Sequence, residues 1–219
     1  MRLLLTHLGD EASTPAKAAI TVQVVRRSLV LNNELHLVWC RWNERTITVL
    51  RRLEGNHMEF SIREVSPQDF GAVCELFEDV EALHRNAVPR VFRKPEGRDW
   101  IRDIVSAATT DGDSVLFVAE GGGRAVGLAH AAIRRAPDLP FVVPRRYAVI
   151  QDLVVSEDSR GSGIGGALVE KVHEWALDKG VSEVELYVWE FNRAALAFYE
   201  KHGYETARRV MWRTLRKGP

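Results

Sequence analysis

Apolar positions recur along this chain with two alternating periods, and the places where the period changes mark out its elements. Glu59–Glu64 alternates apolar and polar residues as a short strand does. Ser66-Pro67-Gln68-Asp69 then reads as a helix start, with a Ser cap, Pro in the first turn and an acid three residues after the cap. Phe70, Val73, Phe77, Val80 and Leu83 follow at helical spacing. Pro89 and Pro95 break the chain, and a second helix is predicted over Glu96–Ala108, ending before Asp111-Gly112. Ser114–Glu120 and Arg124–Arg134, joined by Gly121-Gly122-Gly123, form a hairpin pattern. After a loop marked by Pro137, Pro140 and Pro144 comes a strand over Tyr147–Val155. Ile164, Leu168, Val172 and Trp175 then stripe one face of a helix that ends at Gly180. Val181–Trp189 reads as a strand. Asn192–His202 reads as a helix capped by Asn192 and closed by Gly203, and Tyr204–Arg209 and Val210–Leu215 as two last strands. This order predicts an α/β (α+β) fold, a mixed central β-sheet flanked by helices.

The pattern before Met58 is weaker. Thr21–Val25, Glu34–Trp39 and Thr46–Leu50 alternate in the manner of short strands, among many arginines and with no recognisable site. Residues 1–57 are read either as a β-rich extension or as a segment upstream of a true start at Met58. Residues 58–219 form the domain proper.

Composition narrows the function classes. The chain has 219 residues, with 30 Lys and Arg balancing 30 Asp and Glu, so nothing global favours nucleic acid or an anionic membrane. Two distant cysteines, Cys40 and Cys74, make neither a disulfide framework nor a zinc pattern, and the histidines lack ligand spacing. No metal is expected. No apolar run is long enough to span a bilayer and the N-terminus lacks the features of a leader, so a cytoplasmic protein is expected. Edge strands would allow pairing as a homodimer.

The stretch Gly161-Ser162-Gly163-Ile164-Gly165-Gly166 satisfies the dinucleotide pattern G-x-G-x-x-G, but its context does not. Five residues separate it from the preceding strand, and it lies late in the chain, after a hairpin. What remains is physical. Small residues before a helix let several backbone N–H groups converge on one anion, aided by the helix dipole and by the Arg160 cation. The alternative is a glycine-rich turn that only starts a helix.

Arg160-Gly161-Ser162-Gly163-Ile164-Gly165 resembles the [QR]-x-x-G-x-[GA] loop of the GNAT superfamily of N-acetyltransferases. Asp152-Leu153-Val154-Val155 resembles that family's central strand, and Asn192 to Tyr204 resembles its N-x-x-A-x-x-F-Y-x-x-x-G-[FY] signature. The likeness spans about residues 58–216. It implies the acyl-CoA N-acyltransferase fold and transfer of an acetyl group from acetyl-CoA to a primary amine of a small molecule or protein. It further implies that Arg160, Gly161, Ser162, Gly163, Ile164, Gly165 and Gly166 hold the diphosphate of the coenzyme. Main-chain groups of Leu153, Val154 and Val155 would pair with the pantetheine amides, one N–H serving the acetyl oxygen. Asn192, Ala195 and Tyr199 would also contact the coenzyme.

Two residues are candidates for the chemistry. Tyr199 is read as the acid that protonates the departing thiolate, against the alternative of aromatic packing. Asp152 stands in an otherwise apolar strand and is read as the base that frees the amine, against an ion pair with Arg145 or Arg146. Strict alternation would put Gln151, Leu153 and Val155 on one face of that strand and Ile150, Asp152 and Val154 on the other. His84, Arg85 and the run Pro89–Pro95 would either hold an anionic acceptor or solvate a surface. Arg145-Arg146-Tyr147 would do likewise, and Glu185 and Glu190 would attract a cationic amine. No cysteine occupies a motif position, so direct attack in a ternary complex is expected. A non-catalytic acyl-CoA-binding sensor or interaction module is the competing reading.

Overall fold

Strand β5 (Phe60–Glu64) buries Phe60 and Ile62, the alternate residues of its pattern, and so needs an apolar layer on that face. The computed structural model that supplies it describes residues 59–215, together with the backbone of short strands between residues 30 and 51. Those strands are β1 (Val30–Leu31), β2 (Glu34–Leu35), β3 (Val38–Asn43) and β4 (Thr46–Arg51). The expected strand Thr21–Val25 lies outside the described residues. β1 and β2 pair with each other; the other strands form a sheet in the order β3-β4-β5-β6-β7-β8-β9. It comprises β5, β6 (Ser114–Gly121), β7 (Arg124–Arg135), β8 (Arg146–Val155) and β9 (Val184–Leu186) after the first pair. All neighbours are antiparallel except β8 and β9, which are parallel.

Local sequence chemistry accounts for the element ends. Both Ser66 N–H and Ser66 Oγ–H donate to Asp69 Oδ2 at 2.7 Å. Arg63 makes a forked pair with the same carboxylate at 2.8 Å. A 3-10 turn over Pro67–Asp69 leads from this cap into α1 (Phe70–Ala87). The second helix, α2 (Asp99–Thr110), starts three residues later than its predicted Glu96, because Gly97 takes a left-handed conformation with φ of 81°. The β6–β7 hairpin turns on Gly122 and Gly123, both at positive φ.

α1 and α2 cover one face of the sheet. Val73, Phe77, Ile101 and Val105 pack there on Leu116, Val118, Leu128 and Val154. α3 (Ile164–Asp178) covers the other through Ile164, Leu168, Val169 and Val172, with Phe198 and Tyr199 of α4 (Arg193–Lys201) against the same layer. Close approach of α3 depends on Gly127: a Cβ there would lie 2.9 Å from the carbonyl oxygen of Val154 and 3.1 Å from Ile164.

Three expectations need correction. Tyr204–Arg209 and Val210–Leu215 form no strands; residues 205–215 are exposed and join no ladder in the described structure. β9 is only Val184–Leu186, not Val181–Trp189. Strict alternation also fails in β8. His130 of β7 sits opposite Asp152 while Ala131 sits opposite Ile150, so Gln151 is an extra residue, a β-bulge. Ile150 therefore joins Leu153 and Val155 on the α3 side, leaving Asp152 and Val154 on the α1 side.

Candidate functional site

β9 leaves β8 at Ile150, its last partner being Leu186, yet β8 continues to Val155. Beyond the bulge one edge of β8 faces an opening instead of a strand. Ser156 N–H donates to Val126 of β7, so alternation turns Val154 toward β7 and Leu153 and Val155 away from it. Of the three residues expected to act through their main chain, two thus present N–H and C=O groups to the opening. Arg160 Nε reaches into it and donates to the Val155 carbonyl at 3.2 Å.

The opening leads to the start of α3. Gly161 and Gly163 hold φ of 79° and 90°, values only glycine adopts without strain. Among the described residues, the amides of Gly161, Ser162, Gly163, Ile164, Gly165 and Gly166 donate to no protein acceptor, and the first turn of α3 holds no acid. These donors stand at the start of a 15-residue helix, whose dipole would favour an anion there. Ser162 Oγ–H donates to the Ser159 carbonyl, which holds the loop's shape. The lack of a side chain at Gly165 and Gly166 also allows close packing of α4. A Cβ at Gly165 would meet the Phe198 ring at 3.4 Å, and one at Gly166 would meet His202 Nε2 at 2.9 Å.

At the other end of the opening, Asp152 Oδ2 lies 3.1 Å from Nδ1 of His130, which is buried. This pair replaces the ion pair weighed for Asp152: Arg145 instead binds Glu183 and Glu185, and Arg146 reaches Asp113 at 3.5 Å. Glu185 and Glu190 are likewise engaged by Arg145 and Arg193. Sequence reasoning misses His130, although a lone imidazole in the apolar run Gly127–Ile133 is the available signal. Tyr199 has its pKa pushed up to about 12, chiefly by burial and further by the charge of Asp152. Its hydroxyl makes no hydrogen bond among the described residues. On α1, burial raises the pKa of Glu81, with Asp152 adding to the rise, and burial lowers that of His84 against the opposing charge of Asp152. One carboxylate thus stands within electrostatic reach of α1, β7 and α4. Asn192 caps α4, its Oδ1 accepting from Ala195 N–H at 3.1 Å.

The unpartnered stretch of β8 thus lies between the His130–Asp152 pair and the start of α3. Residues 77–204 match the profile of the acetyltransferase (GNAT) family. The chain belongs to this family. An uncharacterized N-acetyltransferase of Methanocaldococcus jannaschii is 30% identical over 146 residues, which cover 67% of this chain and 61% of that relative. A crystal structure of a mutant BH1408 protein from Bacillus halodurans superposes with a TM-score of 0.65 at 27% identity, covering 71% of this chain and 99% of that one. An aminoglycoside N-acetyltransferase solved with CoA shares the fold at a TM-score of 0.55 and 19% identity, over 75% of this chain and all of that one. Among the described residues of this GNAT chain, no group of three metal-binding side chains occurs and no helix is long and apolar enough to cross a membrane.

Proposed function

We propose that the chain transfers an acetyl group from acetyl-CoA to a primary amine by direct attack within a ternary complex. The observation that carries this reading is the unpartnered edge of β8, which joins the Asp152–Tyr199 end of the opening to the free amides of α3. The amides of residues 161–166 and the Arg160 guanidinium hold the diphosphate, whose charge the helix dipole favours. Leu153 and Val155 pair through their main chains with the pantetheine amides, and the Leu153 N–H stabilises the oxyanion. Asn192 and Ala195, at the head of α4, flank the same arm.

Asp152, oriented by His130, takes a proton from the acceptor ammonium, directly or through one water. The freed lone pair forms the C–N bond at the acetyl carbonyl, and collapse of the tetrahedral adduct breaks the C–S bond. Tyr199 gives its proton to the thiolate and takes up, directly or through one water, the second proton that the nitrogen sheds as the adduct becomes the amide; its raised pKa keeps it protonated throughout the neutral range, as this role requires. Residues 58–219 carry these groups.

The test is thiol release from acetyl-CoA against a panel of amines, with coenzyme binding measured separately. Tyr199→Phe is expected to lower kcat by about 10²–10⁴-fold while retaining coenzyme affinity. Wild-type protein that binds acetyl-CoA and acetylates nothing would instead establish a binding module.

A further inference from the structure

Four aromatic side chains outside the three buried clusters converge beside this site. Phe92 follows α1, Trp189 and Phe191 lie between β9 and α4, and Trp212 comes from the C-terminal segment. Ring centroids are 5.4 Å apart for Phe92 and Trp189, 6.4 Å for Trp189 and Phe191, and 5.7 Å for Trp189 and Trp212. Irregular segments have carried these rings together, yet Phe191 remains 38% exposed and Trp212 55%. A cluster formed only for stability would bury its largest rings more completely.

His84 joins this wall to the reacting centre. It stacks on Phe92 at 5.0 Å, meets Phe191 edge-on at 6.1 Å, and lies within the field of Asp152. Burial lowers its pKa and so favours the neutral ring, the form that does not repel a cation. Two carboxylates, Glu81 and Asp152, lie on the inner side, although Arg85 faces Glu81 at 3.6 Å. On the outer side Arg90 stands 3.9 Å above the Trp212 ring. A cationic head is therefore favoured at the inner end, whereas a second cation at the outer end meets a guanidinium. Between the two ends lie the aromatic rings, at angles to one another from 27° for Trp189 and Phe191 to 74° for Phe92 and Trp189.

We infer that the acceptor is a monoamine on an aromatic or similarly flat apolar body, its ring against Phe191 and Trp212 and its ammonium toward Asp152. This rests on the acetyl-transfer reading of the same site and adds the substrate class to it. Polyamines and aminoglycosides, with cations along their length, are disfavoured by Arg90.

The experiment compares phenethylamine, ethanolamine and spermidine as acceptors by thiol release, with acetyl-CoA binding measured by calorimetry on the same preparation. Phenethylamine is expected to have a kcat/KM about tenfold or more above the other two. Phe191→Ser and Trp212→Ser alter exposed rings, so folding should survive. Each is expected to narrow that preference by about fivefold or more, through KM for phenethylamine. Equal or better turnover of ethanolamine or spermidine, an unchanged preference in both variants, or no turnover of phenethylamine overturns the acceptor class. Absence of acetyl-CoA binding overturns the underlying transfer reading, so the two failures are read separately.

Discussion

His130 Nδ1 and Asp152 Oδ2 face each other at 3.1 Å across the β7–β8 ladder, directly beside the bulge at Gln151. The bulge re-aims the strand so that a carboxylate in an apolar sequence is held by a buried imidazole at the edge of an opening. If Asp152 frees the amine, Asp152→Asn lowers kcat by about 10²–10⁴-fold and leaves acetyl-CoA affinity intact. His130 acts through Asp152. His130→Gln, which keeps a donor, should lose less kcat than His130→Ala, with acetyl-CoA affinity intact in both. Equal losses in the two variants would reduce His130 to a packing residue.

Gly163 caps α3 with φ of 90° and has no side chain to obstruct the free amides. Gly163→Ala forces a non-glycine residue into the left-handed region, at a cost of roughly 1–2 kcal/mol. The amides then turn from their common focus. The Kd for coenzyme A, measured by calorimetry, should rise by about tenfold or more. Arg160→Ala should weaken the same binding without changing thermal stability, because the Arg160 side chain is exposed and, among the described residues, makes one hydrogen bond, to Val155.

Gly127 tests packing instead of chemistry. An alanine there would place Cβ 2.9 Å from the Val154 carbonyl oxygen, a backbone atom that cannot swing aside. Overpacking of this kind costs about 1–3 kcal/mol. Thermal unfolding of Gly127→Ala should show the midpoint falling by roughly 2–4 °C for each kcal/mol lost.

The alkaline stability profile reports on Tyr199. In the unfolded chain this phenol ionises near 10, and in the folded protein at about 12. Its stabilising contribution is whole below pH 10 and is lost as pH rises through 12, because the unfolded state releases its proton first. Tyr204, also raised by burial, acts in the same direction. Denaturant titrations between about pH 9 and 11.5 should show a shallower loss for Tyr199→Phe than for the wild type, about one proton less in slope.

At the acid end the Arg63–Asp69 pair plays the opposite part. The Arg63 guanidinium holds the Asp69 carboxyl well below the usual carboxylate range, aided by two hydrogen bonds from Ser66. This contribution is present above the unfolded pKa and is lost as pH falls through the folded one. Asp69→Asn should destabilise by about 0.5–2 kcal/mol at neutral pH, the range of a lost helix cap, and flatten the acid limb of the stability curve.

The parts of this protein written in a few consecutive residues were legible in the sequence alone. Ser66-Pro67-Gln68-Asp69 announced the start of α1, Gly122-Gly123 the hairpin turn, and Asn192 the cap of α4, because each depends on bonds between near neighbours. The glycine loop and the later Asn-to-Tyr signature indicated the family for the same reason. Register, strand length and convergence were not legible. The bulge at Gln151 shows only in the pairing of β8 with β7, and it alone moves Ile150 to the α3 side. Whether Val181–Trp189 or 204–215 became strands depended on a neighbour to complete a ladder, and β9 ends after three residues. His130 meets Asp152, and Phe92 meets Trp189 and Trp189 meets Trp212, across separations that no local pattern encodes. Hydrogen bonds within a turn are settled by the residues that make it, whereas contacts between distant segments exist only once the sheet has brought those segments together.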